Sequence, residues 1–222
     1  MIKHIIFDAF GTLFQVEKGA SANAVLKHLN AFGHHPDADA FHAEWKSFYR
    51  KHTASFPFQT EREIFTARIR HFCEQYQVPG NAEKAAADML AAAGKRPAYP
   101  DAKPVLDALK GQYCLHIASN TDNDVLQSVM HNQQIEVDHV FTSETFRCYK
   151  LSPSFYDQLI HQIHALPEEC LFIGDSLEED VLAPAAHGMK SLYLCRTASS
   201  VSANICSLSS LLELHDYLDA QL

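Results

Sequence analysis

The first fourteen residues restrict the fold more than any other part of this chain, because an apolar run there ends in a carboxylate and a tight turn. Residues 2–7 predict a short buried strand, Asp8 follows it directly, and Gly11 and Thr12 turn the backbone sharply. In an open parallel α/β sheet, ligands bind at the carboxyl ends of the strands. The Asp8 carboxylate is therefore expected in a ligand site, placed to attack an electrophile.

Strand-like and helical segments alternate in the second half of the chain. This alternation predicts an α/β fold with a Rossmann-like, doubly wound parallel sheet. After residues 2–7, the predicted strands are 113–118, 137–142, 170–173 and 190–195. The predicted helices between them are 104–110, 125–131, 154–164 and 180–187.

The segment between the first strand and this alternating half has a different pattern. Residues 15–96 show no strand pattern and carry apolar side chains at helical spacing, with Phe41 and Trp45 on one face. Asn81 is expected to cap an alanine-rich helix that stops at Gly94. We therefore predict an all-helical cap domain at residues 15–96, inserted into an α/β core formed by residues 1–14 and 97–222.

The composition of the chain limits the kinds of molecule that we expect it to bind. Hydrophobic residues make up 47% of 222, which favours a packed core, and the net charge of −9 lacks the clustered Lys and Arg of a nucleic-acid surface. No apolar stretch approaches the ~20 residues that span a bilayer, and no export signal is evident. Six scattered cysteines without a C-x-x-C pair favour reduced thiols in a cytoplasmic protein. We expect a small-molecule substrate, no nucleic-acid or membrane partner, and a monomer or homodimer.

Two more segments place chemically useful groups near strand ends. Ser119 and Asn120 follow the predicted strand 113–118, so the Ser119 hydroxyl should share an edge with Asp8 and could bind an oxyanion or a substrate carboxylate. Alone, Ser119 and Asn120 would more simply be helix caps. Lys150 precedes a predicted helix; a cation beside a carboxylate keeps it ionised, whereas a lone lysine is more often on the surface.

A third segment has the composition of a divalent-cation site. Gly174 and Asp175 follow an apolar strand, and Asp180 lies about one turn further along. Carboxylate oxygens with open water positions suit Mg²⁺. Acids are also favoured at a helix N-terminus by its dipole, which explains Asp180 more readily than Asp175.

The order of these segments, Asp, then Ser-Asn, then Lys, then Gly-Asp with a second Asp, resembles the four motifs of the haloacid dehalogenase (HAD) superfamily. The resemblance covers the whole chain and implies an aspartate-nucleophile hydrolase with a helical cap. It implies that Asp8 is the covalent nucleophile, that Ser119, Asn120 and Lys150 bind the substrate, and that Thr12 steadies the loop. Mg²⁺, where used, would be held by Asp8, the Phe10 carbonyl and Asp175, with Asp180 in support.

The motifs differ on which bond is broken. HAD phosphatases usually carry an acid at the position of Phe10, and losing general acid-base help typically costs ~10²–10⁴ in rate. The 2-haloacid dehalogenases carry an aromatic residue there, because halide leaves without a proton, and Lys150 with Tyr156 also fits their spacing. Those enzymes need no metal, however, and have small neutral residues where this chain has Asp175.

We expect the acidic residues Asp8 and Asp175 to determine which of the two reactions the protein catalyses. Without a cation, Asp8 and Asp175 would raise each other's pKa and repel an anionic substrate, whereas Mg²⁺ would remove both problems. The sequence-based prediction is therefore a Mg²⁺-dependent phosphatase acting on a small phosphorylated metabolite. The alternatives are a metal-independent 2-haloacid dehalogenase with an aspartyl-ester intermediate, and a catalytically weakened binding module. Lys46 is the candidate for the cap cation that dehalogenases supply as arginine.

Overall fold

The computed structural model describes residues 1–196 and 205–220, and its centre is a six-stranded, all-parallel sheet. The strand order is β3-β2-β1-β4-β5-β6, so β1 lies between β2 and β4. The strands are β1 (His4–Phe7), β2 (Cys114–Ser119), β3 (His139–Thr142), β4 (Cys170–Gly174), β5 (Lys190–Leu194) and β6 (Ser207–Leu208). The predicted α/β class and parallel sheet are confirmed.

Helices cover both faces of the sheet, as the alternating pattern predicts. They are α5 (Ala102–Leu109), α6 (Asn123–Gln133), α7 (Ser143–Phe146), α8 (Pro153–Ile163), α9 (Ala183–Ala186) and α10 (Leu214–Asp219). One apolar core joins Ile5 and Phe7 of β1 to α5, α6 and α10, and the other joins Ile6 to α8. Alternate residues of β1 thus pack into opposite layers, which fixes the strand's register and the position of Asp8.

The turn after β4, the last strand and the added helices α7 and α10 differ from the sequence-based prediction. The predicted helix 180–187 is instead a π-helical turn, Leu177–Leu182, followed by the short helix α9. Ser176 begins the turn by accepting a hydrogen bond from the Glu179 amide. Strand β6 was not predicted, because two residues carry too little alternation to stand out from a loop.

Along the sequence, four helices lie between β1 and α5, the helix that precedes β2. They are α1 (Ala20–Ala31), α2 (Ala38–Thr53), α3 (Glu61–Gln75) and α4 (Ala82–Ala93). Their apolar cluster is built on Phe41, Trp45 and Phe72, with the Phe41 and Phe72 ring centroids 4.7 Å apart. The predicted cap of α4 is confirmed, since the Asn81 side chain accepts a hydrogen bond from the Lys84 amide. We call these four helices the cap; its boundaries at residues 15 and 96 stay a prediction.

The chain enters and leaves the cap through two adjacent segments. Phe14 and Ala98 form an antiparallel bridge, and the Gln15 amide donates to the Pro97 carbonyl at 2.9 Å. Both crossings therefore lie just beyond the carboxyl end of β1. Among residues 1–196 and 205–220, no helix has the length and apolar character needed to cross a membrane.

Candidate active site

Asp8 lies at the carboxyl end of β1. The carboxyl ends of the neighbouring strands β2 and β4 bring other predicted site residues close to it. The Asp8 amide donates to the Ile173 carbonyl at 2.8 Å, which extends the sheet by one residue before the turn. Ser119 ends β2, and Asp175 follows β4 directly. Asp8, Ser119 and Asp175 all line one cavity of about 460 Å³ between the sheet edge and the cap.

Lys150 is the fixed cation of this edge. Its Nζ donates to Asp8 Oδ1 at 2.5 Å and to Asp180 Oδ1 at 2.8 Å, and only 1% of its side chain is exposed. Burial lowers the pKa of Lys150, but the Asp180 and Asp8 carboxylates outweigh it, so the pKa is raised and the ammonium stays charged. The Lys150 ammonium thus bridges two buried carboxylates, those of Asp8 and Asp180.

The nucleophile candidate itself is not fully ionised by this arrangement. Burial raises the pKa of Asp8 to about 8, although Lys150 lowers it, and Asp180 and Asp175 add to the rise. Anything that removes a nearby negative charge, or adds a positive one, will increase the fraction of Asp8 that is ionised at pH 7.

Three carboxylates converge here. One oxygen from each of Asp8, Asp175 and Asp180 lies within 4.8 Å of the others. Two glycines make room for them. A Cβ at Gly11, where φ is 103°, would lie 2.4 Å from Asp175 Oδ2, and a Cβ at Gly174 would lie 2.3 Å from Asp180 Oδ2.

This donor set fits a hard divalent cation. Carboxylate oxygens are the ligands that Mg²⁺ prefers, and no side chain in the described residues pairs with the Asp175 carboxylate. Burial, followed by Asp180, raises the pKa of Asp175. The unpaired Asp175 carboxylate could therefore bind a metal ion.

Asn120 holds two parts of the site together. Its Oδ1 accepts from the Lys150 amide at 2.9 Å, and its Nδ2 donates to Glu179 Oε2 at 3.0 Å. The Tyr156 hydroxyl donates to the Glu179 carbonyl. These bonds fix the segment that carries Lys150 against the π-helical turn that carries Asp180. Sequence reasoning missed Glu179, since nothing local separates it from the exposed Glu178.

Phe10 and Thr12 differ in their access to the cavity. The half-buried Phe10 lines it, so an aromatic side chain stands where a phosphatase acid would be expected. Thr12 is fully buried outside the lining, and its hydroxyl has no partner among the described atoms. Its carbonyl accepts from Arg196 Nη2 at 2.7 Å, and Arg196 also pairs with Asp101. Thr12 thus belongs to the packing beneath the loop.

The cation on the cap side of the cavity is Arg96, whereas Lys46 does not reach it. Lys46 is exposed on α2 and lies outside the lining. The half-buried Arg96 lies at the return from the cap, with its guanidinium carbon 5.7 Å from the centroid of the Phe10 ring. Among the described residues its side chain makes no hydrogen bond or ion pair, so the guanidinium donors of this cavity-lining residue are available to a ligand.

Glu61 is a further polar group of the site that the sequence analysis did not single out. It begins α3, lines the cavity, and accepts a hydrogen bond from Thr121 Oγ1 at 3.0 Å on Oε2. Burial, then Asp122, raises the pKa of Glu61 to about 7. Asp122 in turn accepts from the Glu61 and Arg62 amides at 2.7 and 2.9 Å, and so fastens the start of α3 to the core.

Comparison with known proteins identifies the class. The haloacid dehalogenase-like hydrolase model matches residues 2–188, so the chain belongs to this family of hydrolases. The predicted superfamily is confirmed. A curated relative, (S)-2-haloacid dehalogenase 4A of Burkholderia cepacia, is 23% identical over 189 residues, which cover 79% of this chain and 75% of the relative.

Two solved structures share the fold over nearly the whole chain. The L-2-haloacid dehalogenase of Xanthobacter autotrophicus, with chloropropionic acid covalently bound, has a TM-score of 0.78, 18% identity and full coverage of both chains. The HAD-hydrolase YfnB of Bacillus subtilis, bound to magnesium, has a TM-score of 0.73 and 17% identity, covering 98% of this chain and 99% of its own. At such identities the likeness shows the fold alone. The curated relative is named as a haloacid dehalogenase, which favours the alternative prediction over the expected phosphatase.

Proposed function

We propose that this protein is a 2-haloacid dehalogenase in which Asp8 displaces halide from carbon. The observation that carries the proposal is that Phe10, which cannot donate a proton, lines the cavity together with Asp8, and the unpaired Arg96 guanidinium lies near its ring. Halide needs no proton to leave, so an aromatic wall there costs nothing. The relatives named as 2-haloacid dehalogenases support the same reaction.

The residues present can perform both halves of such a reaction. One Asp8 oxygen attacks C2 of the substrate, the carbon–halogen bond breaks with its electron pair on the halide, and an aspartyl ester forms. Water then adds to the ester carbonyl, the Asp8–C2 ester opens, and a 2-hydroxy acid leaves with release of one proton. Lys150 supports the ionised Asp8 before attack and after hydrolysis. Arg96 would bind the substrate carboxylate through two parallel N–H donors.

The acid cluster does not prevent this reaction. Burial and the neighbouring Asp180 raise the pKa of Asp175, which lessens the negative charge that it presents to an anionic substrate. Arg96 and Lys150 supply two positive charges against the remaining carboxylates. The charge that Asp175 retains raises the pKa of Asp8, so the reaction would need a higher working pH than it would with a neutral residue at position 175.

A Mg²⁺-dependent phosphatase is the second candidate, and one observation favours it. The oxygens of Asp8, Asp175 and Asp180 lie within 4.8 Å of one another, as a divalent cation requires. Asp8, Asp175 and the Phe10 carbonyl would hold Mg²⁺, with Asp180 in support. The ion would neutralise charge between the acids and a phosphate. Asp8 would attack phosphorus, and Ser119 and Lys150 would bind the phosphoryl oxygens.

One experiment separates these reactions. Chloride release from 2-chloropropionate and phosphate release from an aryl phosphate are measured with Mg²⁺ and with EDTA, for the wild type, Asp8→Asn and the surface control Asp107→Asn. The dehalogenase predicts chloride release that survives EDTA, persists in the control and is lost in Asp8→Asn. Phosphate release that requires Mg²⁺, without chloride release, would establish the second candidate instead. Ligand binding with neither product, retained in Asp8→Asn, would indicate the binding module.

A further inference from the structure

The cap side of the catalytic cavity presents two opposite charges in an otherwise apolar wall. Apart from Ser21, its polar side chains are Glu61 and Arg96. The others are apolar: Val16, Ala20, Ala24, Phe65, Met89, Leu90, Ala92 and Ala93. The part of a substrate that points away from Asp8 therefore meets one carboxyl group and one guanidinium.

Glu61 is held in place by hydrogen bonds, but within the described part of the chain only one of its two carboxylate oxygens has a hydrogen-bond partner. Its backbone amide and its Oε2 are fixed by Asp122 and Thr121 of the core. Its second oxygen has no hydrogen-bond partner among residues 1–196 and 205–220 and lies in a side chain that lines the cavity. The positive charges of Arg68 and Arg96 act on Glu61 through space, but neither forms an ion pair with it.

The overall charge of the lining explains what this oxygen can bind. Five carboxyl groups line the cavity, from Asp8, Glu61, Asp175, Glu179 and Asp180. Among the described residues, Arg96 lines the cavity, Lys150 contacts Asp8, and Lys18 acts on Asp175 through space, so the carboxyl groups outnumber the cations. A substrate that carries only negative charge uses Arg96 and gains nothing from the acids. A substrate that also carries a positive group would be attracted by the surplus of carboxyl groups.

We propose that Glu61 and Arg96 form a two-point recognition site for a substrate that carries a protonated amine in addition to its anionic group. Arg96 binds the anion, and the free oxygen of Glu61 accepts a charge-assisted hydrogen bond from the ammonium. The inference rests on the proposed function only in that the substrate must occupy this cavity. It holds equally for attack on carbon or on phosphorus.

Binding of unreactive probes tests the pair without requiring turnover. Calorimetric titration at pH 8 compares 3-aminopropionate, 4-aminobutyrate and 5-aminopentanoate with butyrate, pentanoate and hexanoate, in which a methyl group replaces each ammonium. We expect at least one amino acid to bind about tenfold tighter than its partner, which corresponds to ~1.4 kcal/mol. Glu61→Gln keeps an oxygen for Thr121 and should reduce this preference to less than about threefold, the range of context effects on a single contact. Glu74→Gln, on the exposed side of the same helix, should leave it unchanged.

Two outcomes would overturn the inference. The first is that the methyl-terminated acids bind as tightly as the matching amino acids at all three chain lengths. The other is a preference that Glu61→Gln leaves intact. Because halide and phosphate release are measured separately, a wrong reaction at Asp8 and a wrong recognition site would give different results.

Discussion

Replacing Asp175 by Asn changes one charge at the edge of the sheet and has opposite consequences for the two candidate reactions. The Asp175 and Asp8 carboxylate oxygens lie within 4.8 Å of each other. At that separation, two unit charges repel by about 3 kcal/mol if the effective dielectric constant is about 20. This energy corresponds to about 2 pKa units.

The sign of the effect follows from the pKa of Asp8, which burial raises to about 8. Asp8 must be ionised to attack, so metal-free activity should rise with pH through that value. Asp175→Asn removes a negative neighbour and should move this rise to about pH 6, a shift of about 2 units. Near pH 7 the ionised fraction of Asp8 would increase from about a tenth to about nine-tenths, and chloride release would increase up to about tenfold.

The assay is the pH profile of kcat/KM for 2-chloropropionate in EDTA between pH 5 and 9.5. Asp107→Asn, which alters an exposed acid on α5, should reproduce the wild-type profile. In a Mg²⁺-dependent phosphatase, the same Asp175→Asn substitution removes a metal ligand and should reduce phosphate release by ~10²-fold or more. A metal-independent chloride activity that Asp175→Asn abolishes, with the protein still folded, would refute the charge argument.

Three further substitutions test other parts of the structure. Arg96→Met should raise KM for 2-chloropropionate about tenfold or more, with kcat within about threefold. The free energy of unfolding should change little, because the Arg96 side chain forms no hydrogen bond or ion pair with the described residues. A changed kcat alone would contradict this role. Asp122→Ala should lower the free energy of unfolding by ~1–3 kcal/mol in urea titrations, because the Glu61 and Arg62 amides lose their acceptor. Burial lowers the pKa of His116 to about 4, so the unfolded chain takes up a proton there first and stability should fall as the pH drops from 6.5 towards 4. His116→Leu should remove about 2 kcal/mol of that fall by pH 4.5, and an identical fall in the variant would exclude His116 as its source.

The residues at the sheet edge were predictable because their signal is local. Asp8, Ser119 and Asp175 each follow an apolar run, and the carboxyl ends of parallel strands meet at one edge. Lys150 follows no strand directly, yet its order among the motifs resembles the family, and it contacts Asp8 at 2.5 Å. The sheet itself follows from the alternation of strands and helices, since parallel neighbours require a crossover between them.

The residues that line the cap side of the cavity could not be predicted from a local sequence signal of this kind. Lys46 adjoins Trp45, and the helical pattern shows that Trp45 packs into the cap without showing which face of α2 turns towards the core. Arg96 could have been found from a different signal. A segment that leaves β1 and a segment that returns to the core must both cross the same edge, and Phe14 and Ala98 do pair there. Residues next to such crossings are better candidates for substrate contact than residues in the middle of a cap helix.

The turn after β2 connects substrate recognition to the catalytic groups. Within four residues it supplies Ser119 to the cavity, uses Asn120 to hold the Lys150 amide, and fastens Glu61 through Thr121 and Asp122. A displacement of the cap at the start of α3 must therefore either break these bonds or move the turn with it. Because the same turn touches the backbone of Lys150, a substrate that displaces Glu61 would also disturb the cation beside Asp8. Substrate selection at Glu61 would then appear in kcat as well as in KM, although Glu61 donates no group to the reacting atoms, whereas Arg96, which these bonds do not reach, should affect KM alone.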